Sequence, residues 1–270
     1  MQALWLLGYP DQALVKAKES LTLIQDLSHT NSVAYGLATL VEVHQHRREW
    51  AAAQERGEAA LAFAAESGIP YFAAQISMML GSALAWQGRY EEGISKMRQG
   101  LAAQSAAGGQ GLLQYFLSLQ LETYIETGQF EEGWTVLKEA LTIRPKSSER
   151  YWEEEVYRLN GELLLAEARC NPEVQDNHRR ATMETEAEAC FQHAIETARE
   201  QRTKSLELRA STSLARLWQQ QGKQKEAHQV LSEIYNWFTE GFDTKDLQEA
   251  KALLESLESK VSGPASKKDS

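Results

Sequence analysis

Two cysteines and five prolines are all that the 270 residues contain, and both scarcities exclude something. A disulfide-built scaffold needs more cysteine, and a chain of many turns carries more proline, so long uninterrupted helices are expected. Glycine, at 17, is too sparse for a collagen-like chain, and a hydrophobic content of 43% is too high for a disordered one. Basic excess is missing too: 38 acidic against 28 basic side chains leave a net charge of −10. Phosphate neutralisation needs a basic face, so no nucleic acid is expected as a partner, and the charge favours a neutral or basic one. No apolar run reaches the roughly 18 to 20 residues of a membrane span, and Met1 to Gly8 lacks the basic and long apolar regions of an export signal. The expectation is a cytoplasmic chain with no membrane partner.

The motifs of site chemistry are absent as well. Gly108-Gly109-Gln110-Gly111 has no following Lys-Ser/Thr to hold a nucleotide and reads as a turn between helices. His44 and His46, two apart on a helix, point about 200° apart and cannot chelate one metal together. His29, His178, His193 and His228 show no ligand spacing. Cys170 and Cys190 read as free thiols, Cys190 beside an apolar stripe and Cys170 at the start of a loop. Glu153, Glu154, Glu155 and Glu162 offer carboxylates, but consecutive helical residues fan out, so a solvated acidic helix start is expected. Neither a Gly-x-Ser-x-Gly elbow nor a His-Glu-x-x-His helix occurs. The expectation is a chain that is not an enzyme and that takes no cofactor and no metal.

What is present is self-similarity at a period of 40. Ala13, Ala53, Gly93 and Gly133 lie 40 apart, Ala187 follows after 54 and Ala227 after another 40, the longer step being one period plus a 14-residue insertion. Seven residues after each come Ser20, Ala60, Gly100, Ala140, Ala194 and Ile234, two helical turns along the same face. Ala17, Gly57, Met97, Leu137, Phe191 and Leu231, with Leu21, Leu61, Leu101, Leu141, Ile195 and Tyr235, complete an apolar stripe. Five residues before each small anchor stand Gly8, Arg48, Gly88, Gly128, Thr182 and Gly222, mostly glycines suited to a left-handed helix end. Pro10, Trp50, Tyr90 and Phe130 then open the next helix. The partner helices carry their own column at Val41, Gly81, Leu121, Gly161 and Ala215.

The repeats predict an all-α, right-handed superhelical solenoid of helix pairs forming one array over residues 1–260. First helices are expected near 31–47, 70–87, 111–127, 148–169 and 203–221, and second helices near 10–27, 50–67, 90–107, 130–143, 183–200 and 224–238. The pairs span 1–27, 31–67, 70–107, 111–143, 148–200 and 203–238, a cap follows at 244–258, and the polar insertion 170–183 is expected to be an extended loop. Residues 261–270 read as a disordered tail. Helices of 17 residues stacked in this way suggest a thick ribbon rather than a sphere. Met1 to Leu7 supplies only about two turns of a first helix. The apolar flank of the first pair is therefore expected to be covered by an upstream module, by a second copy of the chain in a homodimer, or by another protein.

The arrangement Leu80-Gly81, Gln87-Gly88-Arg89-Tyr90-Glu91-Glu92-Gly93-Ile94 and Gly100-Leu101 resembles the tetratricopeptide repeat, with longer helices because the period is 40 rather than about 34. Tyr151-Trp152-Glu153 to Leu165, Ala187 to Phe191, and Ser205 to Ala210 with Gln221-Gly222-Lys223 are similar to the C-terminal repeat region of large bacterial signalling regulators. In those proteins a class III adenylate/guanylate cyclase or kinase-like module and an NTPase module precede the repeats. Trp237 to Thr244 followed by Leu247 to Leu257 resembles their usual ending. The resemblance implies a noncatalytic scaffold or sensor region that mediates protein–protein interaction. A second implication is a small effector held in the groove and controlling an attached cyclase or NTPase module.

In stacked helical pairs the first helices line the concave face, which accepts an extended peptide or a helix. Projecting their polar and aromatic positions gives Tyr35, Glu42, Gln75, Met78, Ser82, Tyr115, Ser118, Glu122, Arg158, Glu162, Arg209 and Arg216 as the candidate partner-binding row. Tyrosine and arginine are frequent interface anchors, and a row of mixed charge suits a polar peptide.

Overall fold

The computed structural model describes residues 1–26, 29–106, 112–143, 152–171 and 177–261. Among them are thirteen helices: α1 (Gln2–Leu6), α2 (Pro10–Asp26), α3 (Thr30–His46), α4 (Trp50–Glu66), α5 (Pro70–Ala85), α6 (Tyr90–Ala106), α7 (Leu113–Glu126), α8 (Phe130–Thr142), α9 (Glu153–Cys170), α10 (Asn177–Gln201), α11 (Lys204–Gln220), α12 (Gln224–Tyr235) and α13 (Lys245–Val261). The described residues contain no strand. The chain is an all-α solenoid of helix pairs.

The corners form where the 40-residue column places them. Gly8, Gly88, Gly128 and Gly222 take left-handed φ of 91°, 85°, 70° and 80°, and Arg48 takes the same conformation at 58°. At each the turn closes on the preceding helix, as where Gly88 N–H donates to Ala85 O and Arg89 N–H to Leu84 O. Pro10, Trp50, Tyr90 and Phe130 are the first residues of α2, α4, α6 and α8. The fifth corner departs from the pattern. Thr182 lies inside α10, a continuous helix of 25 residues, so residues 177–182 of the insertion are helical rather than extended. Without a glycine nothing there favours a left-handed break. Residues 172–176 lie outside the described residues, as do 107–111 with the Gly-Gly-Gln-Gly turn and 262–270 of the expected tail; Val261 ends α13.

The small-residue columns set how closely the helices approach. A Cβ on Gly81 would stand 2.6 Å from Gly93 O, and one on Gly100 would stand 2.7 Å from Ala74 O, so α5 and α6 meet backbone to backbone. Gly161 admits the ring of Phe191, which a Cβ would meet at 2.5 Å. Ala13, Ala53, Ala60, Ala140, Ala187, Ala194 and Ala227 are fully buried in the same columns.

The first helices do not form an open ribbon. α1, α3, α5, α7, α9 and α11 contact one another in sequence, and α11 returns to contact α1, which closes an inner ring; α2, α4, α6, α8, α10 and α12 pack outside it. This corrects the expectation of an elongated stack with an uncovered end. Curvature accumulated over the pairs brings the C-terminal helices onto the short α1. The flank of the first pair carries contacts from α11 of the same chain. Trp5 is buried, and its carbonyl accepts a 2.5 Å hydrogen bond from Ser205 Oγ. The Glu240 carboxylate accepts the Asp11 and Gln12 N–H groups at 3.0 Å each, capping α2 from 229 and 228 residues away, and Asp11 Oδ2 accepts Gly241 N–H at 2.9 Å. Arg47, with its side chain 3% exposed, donates to Asp11 at 2.6 Å, to Glu49 at 2.7 Å and to Asp243 at 3.2 Å.

Candidate ligand cavity inside the ring

The inner helices surround a cavity of about 210 Å³, lined by residues that include Gln45 and His46 on α3, Trp50 on α4, Trp86 after α5, Tyr115 and Glu122 on α7, Glu155 and Arg158 on α9, Arg209 and Arg216 on α11, and Asp246 and Glu249 on α13. Its floor is aromatic. Trp5 stacks on His46 at 4.3 Å, Tyr115 lies 4.6 Å from Trp152 and 5.3 Å from His46, and the Arg209 guanidinium sits 4.9 Å over Trp5. Burial holds the His46 imidazole below its ordinary pKa, against the pull of Glu42, so the ring in this stack is neutral. The Tyr115 hydroxyl donates to Gln45 Oε1 at 3.2 Å, and burial followed by the Glu42 charge pushes its pKa well up.

Above the floor lies a charge network. Arg158 donates to both oxygens of Glu155 at 2.8 Å and reaches Glu122 at 3.4 Å and Glu162 at 3.7 Å. Arg209 donates to Asp246 at 2.8 Å and to the His46 carbonyl at 3.1 Å, with Glu155 at 3.4 Å. Arg48 joins Asp246 and Glu249 at 3.4 and 3.0 Å, and Arg216 joins Glu249 at 2.8 Å. Burial alone would raise Glu155, but Arg158 and Arg209 outweigh it and hold the carboxyl at about 2. Glu122 goes the other way: burial dominates over the more distant Arg158, and nearby Glu155 adds to the rise. Its side chain is 26% exposed and lines the cavity.

The sequence-predicted row divides into two groups. Tyr115, Ser118, Glu122, Arg158, Glu162, Arg209 and Arg216 line the cavity together. Tyr35, Glu42, Gln75, Met78 and Ser82 do not. Tyr35 is 58% exposed and meets Phe72 edge-on at a separate apolar groove; Glu42 turns to His46 at 3.2 Å; Gln75 is buried against the Tyr71 hydroxyl; Met78 is core; Ser82 is fully buried, its hydroxyl unpaired among the described residues. The projection treats every first helix as equivalent, whereas the α3–α5 segment meets the ring axis only at its C-terminal ends. A second correction concerns the acidic start of α9. Glu154 and Glu155 are 1% and 4% exposed, not solvated: Glu154 accepts Thr203 Oγ1 at 2.7 Å, and Glu155 is the hub of the arginine network. His44 and His46 point to different partners, Glu49 and Glu42. Cys170 is exposed, and burial pushes the half-buried Cys190 thiol up to about 11.

Sequence reasoning weighed His46 only as a metal ligand and passed over Arg48, Trp152, Asp246 and Glu249 as lining residues. Arg48 carried a signal. It is a non-glycine residue in a column of left-handed corners, a costly placement that leaves its side chain facing Asp246, Glu249 and the Trp86 ring at 5.4 Å. No metal-binding group of three or more His, Cys, Asp or Glu side chains occurs among the described residues, and no helix there is long and apolar enough to cross a membrane.

No protein-family model and no curated protein sequence matches the chain. Among solved structures it is similar to BtubC (BKLC) from P. vanneervenii, at 14% identity over 97% of this chain and 96% of that one, with a TM-score of 0.48. It is also similar to a putative kinesin light chain of Podosopora anserina with nearly identical TPR-like repeats, at 16% identity over 88% of this chain and all of that one, TM-score 0.44. A point-substituted form of the latter gives 18% identity over 74% of this chain and 92% of that one, TM-score 0.44.

Proposed function

We propose that the chain is a noncatalytic helical-repeat scaffold that recognises another protein through the polar mouth of its inner ring. In this reading it serves in the cytoplasm as the regulatory repeat region of a bacterial signalling protein. The observation that carries the proposal is the gathering of seven concave-face residues from α7, α9 and α11 around one opening, with their charges held in fixed pairs. Such a surface presents a rigid pattern of charge, which favours selectivity over bulk adhesion. Glu126 is exposed and Arg216 is 45% exposed, both on the cavity wall, and these are the groups a docking protein would meet first. Affinity capture with the wild-type chain and with Glu126→Lys and Arg216→Glu tests this. A partner held by the wild type and lost by either reversal supports the docking mouth; capture unchanged by both overturns it.

A second reading, a small effector that signals to an attached cyclase or NTPase module, is favoured by one observation. Residues of α3, α7, α9, α11 and α13 converge on one half-open cavity of about 210 Å³.

A further inference from the structure

The walls of the cavity are unequal in charge and incomplete in hydrogen bonding. Six carboxylates (Glu122, Glu126, Glu155, Glu162, Asp246 and Glu249) face four guanidiniums (Arg48, Arg158, Arg209 and Arg216), a formal charge of −2 with His46 neutral. Glu122 and Glu162 share Arg158 with Glu155, which Arg209 also reaches at 3.4 Å. On the floor the deficit is of another kind. Gln45 and Trp152, each 2% exposed, line the cavity with Gln45 Nε2 and Trp152 Nε1 buried and unpartnered among the described residues. Trp86, on the wall, leaves its indole N–H in the same condition. Buried donors without acceptors are uncommon, and these have none among the described residues.

The two deficits lie at different depths. Tyr115, which touches Trp152 and binds Gln45, stands seven residues before Glu122 on α7, about 10 Å along the axis. Between them Leu119 and Leu159 give the wall an apolar stretch.

Resting on the small-effector reading, we propose that the cavity binds a linear monocationic amine whose far end carries a neutral acceptor oxygen, a carbonyl or a hydroxyl. The ammonium sits among Glu122, Glu126 and Glu162, where carboxylates exceed guanidiniums. The methylene stem lies along Leu119 and Leu159. The acceptor oxygen takes the N–H groups of Gln45 and Trp152. A neutral acceptor at the far end follows from the donors it meets: a second ammonium would set N–H groups against N–H groups, and a carboxylate would leave the excess of −2 uncorrected and would face Glu155 and Asp246 beside Arg209.

Thermal unfolding and calorimetric titration of the full chain with 6-aminohexanamide, n-hexylamine, hexanamide and 6-aminohexanoate, each up to about 10 mM, test the proposal through ligand-linked stabilisation. The expected result is that 6-aminohexanamide raises the unfolding temperature most and shifts the Trp152 indole N–H resonance. Glu122→Gln is expected to weaken it about tenfold, the loss of one charge-assisted contact. Trp152→Phe, which keeps a ring and removes the N–H, should narrow its advantage over n-hexylamine. If Trp152→Phe does not fold, Glu122→Gln decides alone, since it removes a buried charge without changing shape. Equal binding of n-hexylamine, of hexanamide or of 6-aminohexanoate overturns the two-ended monocation while leaving a small-effector cavity in place. No response to any of the four overturns both. Neither result bears on protein capture at the mouth.

Discussion

The α5–α6 seam and the interior of the ring hold the same fold together by opposite means. At the seam Gly81, Gly93 and Gly100 let two backbones touch, and what fixes the geometry is the absence of side chains. Inside the ring long charged side chains fix it, and Arg158 alone ties α9 to α7 through Glu122 while binding Glu155 and Glu162 on its own helix. The seam is steric and local. The interior is electrostatic and joins residues far apart in sequence, such as Arg48 and Glu249. Packing of the first kind responds to volume, and packing of the second kind responds to charge, pH and salt.

The sharpest way to break this contrast is Arg158→Met. Removing the guanidinium leaves Glu155, 5% exposed, dependent on Arg209 at 3.4 Å, and the expected loss is about 3–5 kcal/mol in urea unfolding. A loss below about 1 kcal/mol would mean that the network is no more cohesive than a surface pair.

The pH profile comes next. Glu155 titrates at about 2 in the folded chain against an ordinary 4.5, so its contribution is complete above about pH 4.5 and disappears as pH falls toward 2. The shift corresponds to about 3 kcal/mol, and Glu155→Gln should flatten the acid limb of the stability curve. Glu122 and Glu154 have the reverse sign, since their raised pKa means that ionisation opposes folding, and Glu122→Gln should keep or raise stability at neutral pH.

At the seam, Gly81→Ala places a methyl against Gly93 O and Met97, and about 1–3 kcal/mol should be lost, unchanged between low and high salt. The closure of the ring tests the boundary between the two kinds of packing. Arg47→Met removes contacts to Asp11, Glu49 and Asp243, which are 46%, 32% and 73% exposed; with screening this is expected to cost about 1–2 kcal/mol, less as salt rises. Smallest is Lys16→Ala. It breaks the pair with Glu19, in which both side chains are more than half exposed, and should change stability by less than about 0.5 kcal/mol. Comparable losses for Arg47→Met and Lys16→Ala would place the closing contacts with surface pairs.

Much of the fold is legible because its signals are local. A glycine that needs a left-handed backbone, an opening proline or aromatic, and small residues seven apart each act within one or two turns, so α2, α4, α6 and α8 begin where the sequence places their starts. The fifth pair escapes this reading, because Thr182 replaces the glycine and helix simply continues. At the cavity, seven residues are legible from helical projection alone. Glu155 reads as solvated because its surroundings on α9 are acidic, and nothing nearby in sequence announces Arg209, 54 residues away, at 3.4 Å.

Helices, corners and the close pairing of neighbours follow from the order of residues alone, since each depends on backbone conformation and on the size of side chains a few positions apart. That the solenoid closes is a property of the assembled molecule. Closure depends on rotations summed over successive pairs, and on Glu240 meeting the start of α2 and Ser205 meeting Trp5. The assembled helices also gather the lining of the cavity, bury two glutamates expected in water, and bring α11 onto the short α1.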